Sequence, residues 1–406
     1  MIQKKTILNS IILIMCLPLL WSSCSKSDEG MTSLDIFNIE PIGEKDIQFD
    51  ELQMDTLRLD RIESSHVGFI SISNDSIRFI DERFGWMFVF DKNGVLHHRH
   101  LGQGQGPKEI PMAGIQFYSP TIGRGHLFIG SSFDYYIYNS DYERTKQEII
   151  RWQRDVPMEE LQRNPDPQQQ RSYNLGYDIG NIMVTSTHVY LPLISAPPPF
   201  SAFNFTTDLF AEEARVLAKM NIETGEVENI MGRLSPIFAE ELNIRHFSFF
   251  HNTLIDNSTL AISYMPDSLI YLTDLDFNVQ SAFGFSGENM DLNYRIFPSV
   301  GNEETIQNFF YEEFNNRGYY TSLTYIKDRD LFFRGYRKGG ESTTDGLQVY
   351  RGNTLIADVD VPKLFDEFVL GRHFEVIGYI EPWFYSNAFI DEMAEEIIVY
   401  RFRIDE

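Results

Sequence analysis

The chain has 406 residues, of which 43% are hydrophobic and 14% aromatic. This composition supplies a large core, favours strands over helices and excludes a largely disordered chain. The formal net charge of -25 disfavours nucleic acid or an anionic membrane surface as a partner, because both would be repelled.

The first 23 residues have the pattern of a secretory signal peptide. Basic residues precede an apolar run at residues 11–20, which is too short to span a bilayer comfortably. Small residues then lead to Cys24, in a pattern that resembles a bacterial lipobox and implies acylation of this cysteine. An ordinary cleaved signal with an incidental cysteine is the alternative. Residues 24–47 are predicted to be the lipidated cysteine and a flexible tether.

The first blade-like unit follows the tether. Residues 52–60 alternate apolar and polar side chains and predict a lone strand with no hairpin partner upstream. Residues 67–110 then form four short strand patterns in succession, separated by turn sequences. Four such strands predict one blade of a β-propeller.

The glycine-rich loop that ends this unit is predicted to be a structural connection between blades. Gly102, Gly104 and Gly106 permit positive φ values, and Pro107 stiffens the exit of the loop. The loop lacks the Gly-Lys-Ser/Thr ending of a phosphate-binding loop and has no helix pattern behind it. A phosphate cradle is therefore disfavoured.

The last hairpin of the first blade recurs along the chain. The copies are MFVFDKNGVL, DYYIYNSDYE, VLAKMNIETGEV, LIYLTDLDFNV, LQVYRGNTLI and EIIVYRFRID. Six copies predict an all-β fold, a six-bladed β-propeller of four-stranded antiparallel blades. Their wide spacing predicts insertions at residues 151–178, 195–213 and 287–318. Within the last insertion, residues 303–316 have helical spacing, and Gly318 stands just beyond to end a short helix.

The sixth copy reaches the end of the chain with room for only three strands. We expect the strand at residues 52–60 to supply the missing outer strand and to close the ring across the two ends of the chain. The propeller domain is then predicted to span residues 48–406. Two sandwiches or an open array of sheets is the alternative, because the insertions blur the repeat.

Two motifs of the first blade resemble a known family. The hairpin Asp91-Lys-Asn-Gly94 and the loop Gly102-Gln-Gly-Gln-Gly-Pro-Lys-Glu109 are similar to those of the six-bladed β-propeller lipoproteins of Bacteroidota, relatives of NHL-type and TolB-like propellers. The Ser-Lys-Ser-Asp-Glu after Cys24 resembles the acidic export tag of surface lipoproteins in that phylum. The resemblance implies an outer-membrane lipoprotein, exposed at the cell surface or facing the periplasm, and it supplies no catalytic residues.

No linear motif of a catalytic or cofactor site is found, and no cofactor is predicted. The two cysteines both lie within the first 24 residues, so the rest of the chain has no thiolate metal site. His97, His98 and His100 lie on the predicted fourth strand of the first blade. Because only two of them share a face of the strand, no metal site is predicted there.

Ligands of propellers usually bind where the innermost strands and the loops at the channel mouth converge. Candidate inner strands are residues 244–252 and 377–388. They carry residues able to grip or stack on a sugar or a peptide, although sheet packing is the alternative role for the aromatic ones. These candidate ligand-binding residues are Arg245, His246, Trp383 and Tyr385.

The sequence predicts a surface- or outer-membrane-anchored binding or scaffolding propeller, because three long insertions occur without a catalytic motif. The expected partner is a carbohydrate, a peptide or a neighbouring surface lipoprotein, and the membrane is contacted only through the lipid anchor. A glycan hydrolase or lyase with a site at the channel mouth is the alternative, since scattered carboxylates leave no linear motif.

Overall fold

Six antiparallel sheets are arranged as a six-bladed β-propeller, which confirms the predicted fold. A computed structural model describes residues 36–404, apart from residues 74, 112–113, 122–124, 177–181, 196–198, 203, 205–206, 241, 296–302, 365–372 and 392–394. The predicted signal peptide, Cys24 and the first part of the predicted tether lie outside the described residues.

In every blade the inner strand comes first in the chain. In blades 1 to 5 the later strands follow in chain order towards the outer edge of the blade. The first two strands of the chain, β1 (Glu44–Lys45) and β2 (Met54–Arg58), join the outer edges of blades 5 and 6. Blade 1 consists of β3 (Gly68–Ser73), β4 (Ser76–Asp81), β5 (Trp86–Phe90) and β6 (Leu96–Leu101). Blade 2 consists of β7 (Ile115–Thr121), β8 (Gly125–Gly130), β9 (Asp134–Tyr138) and β10 (Arg144–Ile149).

The inner strand is split in two in blades 3 and 5. Blade 3 contains β11 (Asn174–Leu175), β12 (Met183–Val184), β13 (His188–Ile194), β14 (Leu217–Asn221) and β15 (Val227–Met231). Blade 4 contains β16 (Phe250–Leu254), β17 (Thr259–Tyr264), β18 (Ile270–Asp274) and β19 (Val279–Phe283). Blade 5 contains β20 (Tyr319–Tyr320), β21 (Thr324–Ile326), β22 (Leu331–Arg337), β23 (Thr344–Arg351) and β24 (Thr354–Pro362). Blade 6 contains β25 (Val376–Ile380), β26 (Trp383–Asp391) and β27 (Glu396–Phe402).

The described helices all lie in connections between strands. The α-helices are α1 (Met158–Arg163), α2 (Leu209–Glu213), α3 (Ile237–Glu240) and α4 (Glu303–Asn316), and short 3₁₀ helices occur at Gln170–Ser172, Leu242–Phe247 and Lys327–Arg329. The predicted helix at residues 303–316 is confirmed as α4. It buries Phe309 and Phe314, as the spacing of its aromatic residues requires.

The ring is closed by β2, as predicted. This strand pairs antiparallel with β27, from Met54 opposite Phe402 to Arg58 opposite Ile398. The Arg401 Nη2 and Asp55 Oδ2 atoms lie 2.7 Å apart across the same pair of strands. The strand therefore supplies the backbone partner that β27 would otherwise lack, and a sheet edge is removed.

Apolar cores fill the spaces between neighbouring blades. Between blades 5 and 6, the Phe333 ring lies 5.0 Å from that of Phe384 and 5.9 Å from that of Phe402, measured between centroids. Similar clusters occupy the other five interfaces. Because the alternate side chains of a strand point into opposite cores, most strands are apolar on both faces.

Part of the predicted tether is instead packed on the propeller. We call residues 36–53 the N-terminal strap. Phe37 is only 5% exposed, and its ring meets that of Tyr271 edge to face at 4.7 Å. The Ile42 N–H donates to the Ala282 carbonyl at 2.9 Å, and β1 then pairs parallel with β24. The prediction of a flexible tether is thus wrong for residues 36–47, because single apolar residues and backbone pairing hold a segment that has no hydrophobic period.

The two faces of the ring differ in their connections. Connections between blades, and those between second and third strands, emerge at one face, because every blade repeats the same strand directions. We call this the loop-rich face, and its long connections are residues 150–173, 195–216, 232–249, 284–318 and 363–375. The described connections between strands at the opposite face are short turns, such as residues 91–95 and 255–258.

Candidate functional site

A central channel with a volume of ≈ 770 Å³ is lined by the inner strands of all six blades. Much of its described lining is polar but uncharged, and includes Ser71, Asn252 and Thr324. The only carboxylates among the described lining residues are Glu82 and Glu375, and these residues include no lysine or arginine. The channel therefore presents hydrogen-bonding groups in a weakly acidic setting.

Glu375 lies just before β25 and projects into this channel. Among the described residues, its carboxyl group has no hydrogen-bond or ion-pair partner. Burial raises the pKa of this carboxyl from 4.5 to about 7, and burial is its sole cause. Among the described residues, no second carboxylate contributes to this shift.

Two imidazoles line the channel together with Glu375. Burial lowers the pKa of His373 to about 3, with a further contribution from Arg337, and lowers the pKa of His251 to about 4. Both rings are therefore neutral at physiological pH. The Nε2 atom of His251 is buried and has no hydrogen-bond partner among the described residues. This atom is available to a ligand or to water inside the channel.

A buried polar cluster supports the channel wall at blade 5. Tyr319 and His373 meet edge to face, with ring centroids 5.9 Å apart. Behind them, the Arg337 Nε and Asp345 Oδ1 atoms lie 3.8 Å apart, and both side chains are buried. Burial raises the pKa of Asp345 to about 6, although Arg337 opposes this shift. Arg337 is thus neutralised within the wall and adds no free cation to the channel.

Asn387 on β26 fixes the segment that carries His373 and Glu375. Its Oδ1 accepts a hydrogen bond from the Glu375 N–H at 3.2 Å, and its own N–H donates to the Glu375 carbonyl at 2.9 Å. Its side-chain amide also donates to the His373 carbonyl. The register of β25 against β26 shifts at this point, so side-chain bonds replace part of the regular ladder.

The loop-rich face surrounds the end of the channel at which Glu375 lies. Helix α4 packs its Phe314 against Phe247 at a centroid distance of 4.5 Å and against Tyr319 at 5.6 Å. The buried Glu313 on this helix pairs with Arg295, and its Oε2 accepts the Arg295 N–H at 2.9 Å. The insertion therefore has a packed core of its own beside the channel wall.

Arg245 and His246 lie in the 3₁₀ helix Leu242–Phe247, and the inner strand begins only at Phe250. The prediction of a strand over residues 244–252 is thus wrong at its start, because Ile244 and Phe247, three residues apart, are buried on one side of a 3₁₀ turn. Arg245 is 2% exposed, with its Nη2 atom 3.2 Å from Asp208 Oδ1.

His246 is also buried in the loop-rich face. Its ring lies 5.3 Å from that of Phe309, and the residue lines an apolar cavity of ≈ 170 Å³. Burial lowers the pKa of His246 to about 3, and Arg295 contributes to the shift. Ligand binding by Arg245 and His246 stays a prediction.

Trp383 and Tyr385 lie on β26, the second strand of blade 6. The predicted inner strand over residues 377–388 is divided into β25 and β26, because Pro382 lacks the N–H needed to continue a strand. The Arg401 and Arg403 guanidinium groups lie over the Trp383 ring, at 4.4 and 4.0 Å from its centroid.

Tyr385 is fully buried between blades 6 and 1, and its hydroxyl donates to the Lys92 carbonyl at 3.4 Å. Its neighbour Trp383 lines a separate cavity of ≈ 550 Å³ beside the N-terminal strap. The structure therefore does not bring the four predicted ligand-binding residues together in one site. Ligand binding at Trp383 and Tyr385 also remains a prediction.

The glycine-rich loop connects β6 to β7 and folds around its own Glu109. The Gly106 N–H donates to Glu109 Oε2 at 2.7 Å, and a Cβ atom on Gly104 would lie 2.0 Å from the same oxygen. Gly102 has a φ of 124°, and Arg144 of blade 2 donates its N–H to the Pro107 carbonyl at 2.7 Å. A carboxylate already occupies the place that a phosphate would need.

His97, His98 and His100 lie on β6, as predicted. His100 stacks on Tyr142 with a centroid distance of 4.0 Å, and so contributes to packing between blades 1 and 2. Within the described part of the chain, no group of three His, Cys, Asp or Glu residues is placed to hold a metal ion. No helix in that part is long and apolar enough to cross a membrane.

Sequence reasoning missed Glu375, His251 and His373. His251 lies inside the predicted inner strand 244–252 and Glu375 just before the predicted inner strand 377–388, but a single Glu or His carries no linear signal. The one available clue is position, since a polar residue between apolar neighbours at the start of an inner strand points into the channel.

No protein-family model matches the sequence, and no curated protein matches it. Among solved structures, the chain is similar to a member of the DUF4221 family from Bacteroides vulgatus, with 12% identity, a TM-score of 0.57, and coverage of 91% of this chain and 99% of that chain. It is also similar to a predicted exported protein from Bacteroides fragilis, with 13% identity, a TM-score of 0.49, and coverage of 90% of this chain and 99% of that one. At such identities the first likeness shows a shared fold alone.

Proposed function

We propose that the protein is an exported, lipid-anchored propeller that binds or scaffolds a carbohydrate, peptide or protein partner on its loop-rich face. The observation that carries this proposal is the convergence of the long connections on the face that surrounds the channel. Long connections on one face of a rigid ring are a common way to build a binding surface. The Glu375 carboxyl and the His251 Nε2, which have no hydrogen-bond partner in the described part of the chain, add specific contacts for a part of the partner that enters the channel.

Attachment through Cys24 is the second part of the proposal. The N-terminal strap reaches the rim of the ring beside blade 4, where Phe37 packs. The residues between Cys24 and Phe37 then provide a short connection to the lipid, and the outer membrane is the proposed location. Metabolic labelling with a palmitate analogue tests this part. The unmodified chain should be labelled and the Cys24→Ser variant should not, whereas equal labelling would contradict it.

A pull-down experiment tests the binding role. The full chain purified in non-ionic detergent is immobilised and exposed to glycan arrays and to solubilised envelope proteins, with heat-denatured chain as the background. A matched variant carries substitutions on exposed residues of α4, such as Tyr311→Ser, and a control carries a substitution at a short turn, such as Asp256→Ser. We expect capture that is weakened by the α4 variant alone. Capture of nothing above the denatured background would contradict the proposal.

Glycan hydrolysis or elimination is the second candidate. The observation that favours it is the pKa of Glu375 of about 7, which suits a general acid or base at neutral pH. A two-carboxylate hydrolase has less support, because no second carboxylate among the described residues contributes to that pKa. Release of reducing ends, or absorbance of an unsaturated product near 235 nm, from a panel of polysaccharides would test this candidate, with Glu375→Gln as the inactive control.

A further inference from the structure

We propose that the central channel binds an organic cation, an ammonium or guanidinium group, through the Glu375 carboxylate. The inference rests on the proposed binding role and names the chemistry of the group that enters the channel. The described lining has carboxylates at Glu82 and Glu375 but no lysine or arginine. A positive group entering from the loop-rich face would meet acceptors, and no lysine or arginine among the described lining residues would compete with it.

The surroundings of Glu375 favour a charged donor over a neutral one. Besides Glu375, the titratable groups in the described lining are Glu82, Tyr118, His251 and His373. Two arginines lie behind this lining: Arg337 is paired with Asp345, and the buried Arg334, which contributes to the low pKa of His251, donates to Ser263 and to the Ser268 carbonyl. Both imidazoles are neutral, so neither can serve as the counter-ion. Glu375 is half-buried and has no counter-ion among the described residues, and such a carboxyl gains more from a charged partner than a fully exposed one does.

The rest of the site complements such a group. The free Nε2 of His251 and the polar side chains of Asn252, Thr321 and Thr324 line the same cavity. An anion is disfavoured at the same place, because the chain has a formal net charge of -25 and the described lining of the channel includes no lysine or arginine. Asn387 holds the Glu375 backbone in place, so the segment that carries the carboxyl does not have to be ordered on binding.

The experiment uses two probes of nearly the same shape that differ in charge. n-Butylguanidinium is the cation and n-butylurea is its neutral counterpart, and binding to the full chain in detergent is followed by ligand-observed NMR at near-physiological salt. We expect n-butylguanidinium to bind and n-butylurea to bind at least about ten-fold more weakly. Glu375→Gln should abolish this difference. The control variant is Glu341→Gln, which removes an exposed carboxylate from the same face and should leave the affinity unchanged.

The pH dependence supplies a readout that needs no variant. Because n-butylguanidinium stays charged throughout, its affinity should fall about ten-fold per pH unit below pH 7, the pKa of Glu375, and be constant above it. Equal affinity for the two probes, no binding of either probe, a flat pH profile, or an equal loss in Glu341→Gln would each overturn the inference. If the pull-down finds a partner while the cation probe fails, the binding role stands and only the channel chemistry is wrong.

Discussion

Replacing the Glu375 carboxyl by an amide should stabilise the protein at neutral and alkaline pH. The pKa of this carboxyl is about 7 in the folded chain, against 4.5 for an ordinary glutamate. Folding thus favours the protonated form of this carboxyl. The free energy of unfolding therefore falls as the pH rises from about 4.5 to about 7, because ionisation is easier in the unfolded chain. Above pH 7 the penalty is constant, because both the folded and the unfolded states are then ionised.

The full shift corresponds to at most ~3 kcal/mol of unfolding free energy. We expect about half of this for Glu375→Gln at pH 8.5, because the carboxyl faces channel water that lowers its effective burial. The stabilisation should raise the melting temperature by roughly 2–4 °C at pH 8.5 and should become negligible towards pH 4.5.

Thermal melts of the unmodified chain, Glu375→Gln and Glu341→Gln from pH 4.5 to 9 provide the measurement. Glu341 is exposed, so its variant should follow the unmodified chain at every pH. A Glu375→Gln variant that is less stable than the unmodified chain at pH 8.5, or whose advantage does not change with pH, would refute the argument. The first result would mean that the carboxylate has a stabilising partner in the folded protein, and the second that ionisation of Glu375 is not the source of the difference in stability.

Three further predictions follow from the contacts around the channel and the ring closure. Asn387→Ala should lower the unfolding free energy by about 1–2 kcal/mol in urea titrations and should weaken cation binding, because the Glu375 segment loses its hydrogen bonds to the Asn387 side chain. Unchanged cation binding would contradict the positioning role of Asn387. Phe37→Ala should cost about 3 kcal/mol, whereas Phe84→Ala, at an exposed ring, should cost much less, and equal losses would show that the strap is not anchored by Phe37. A chain that begins at residue 36 should have the same melting temperature as the full chain. A chain that begins at residue 61 lacks β2, so it should melt at a lower temperature and should associate through the unpaired edge of β27, which light scattering would detect. Equal melting temperatures of the two truncated chains would refute ring closure by β2.

The fold was predictable because its signal is repeated along the chain. Each hairpin copy joins two β-rich runs through a polar turn, and the six copies count the blades. The unpaired strand pattern at residues 52–60 and the last blade, which lacks one strand, together predicted the closure of the ring, since an unpaired sheet edge requires a partner. The α4 helix was predictable from the spacing of its aromatic residues and from Gly318 beyond its end.

The strap and the inner strands were harder to predict for a common physical reason. Phe37 is fixed by contacts of its ring with those of Tyr264, Tyr271 and Phe277, and β1 is fixed by a parallel pairing with β24. Neither arrangement leaves a period in the sequence. In residues 377–388, β-rich composition continues on both sides of Pro382, so the turn between β25 and β26 was overlooked. Composition predicts that strands form, whereas single breakers decide which strand faces the channel.

The site could not be found by motif because the fold assembles it from distant parts of the chain. His251 comes from blade 4 and Glu375 from the connection before blade 6, and only ring closure brings them to the same channel. Each residue is ordinary in its local sequence. What makes Glu375 unusual is the absence of a counter-ion among the described lining residues, which is a property of the other blades. A propeller can therefore change its ligand by single substitutions at inner strands while its repeat, and hence its recognisable sequence pattern, stays the same.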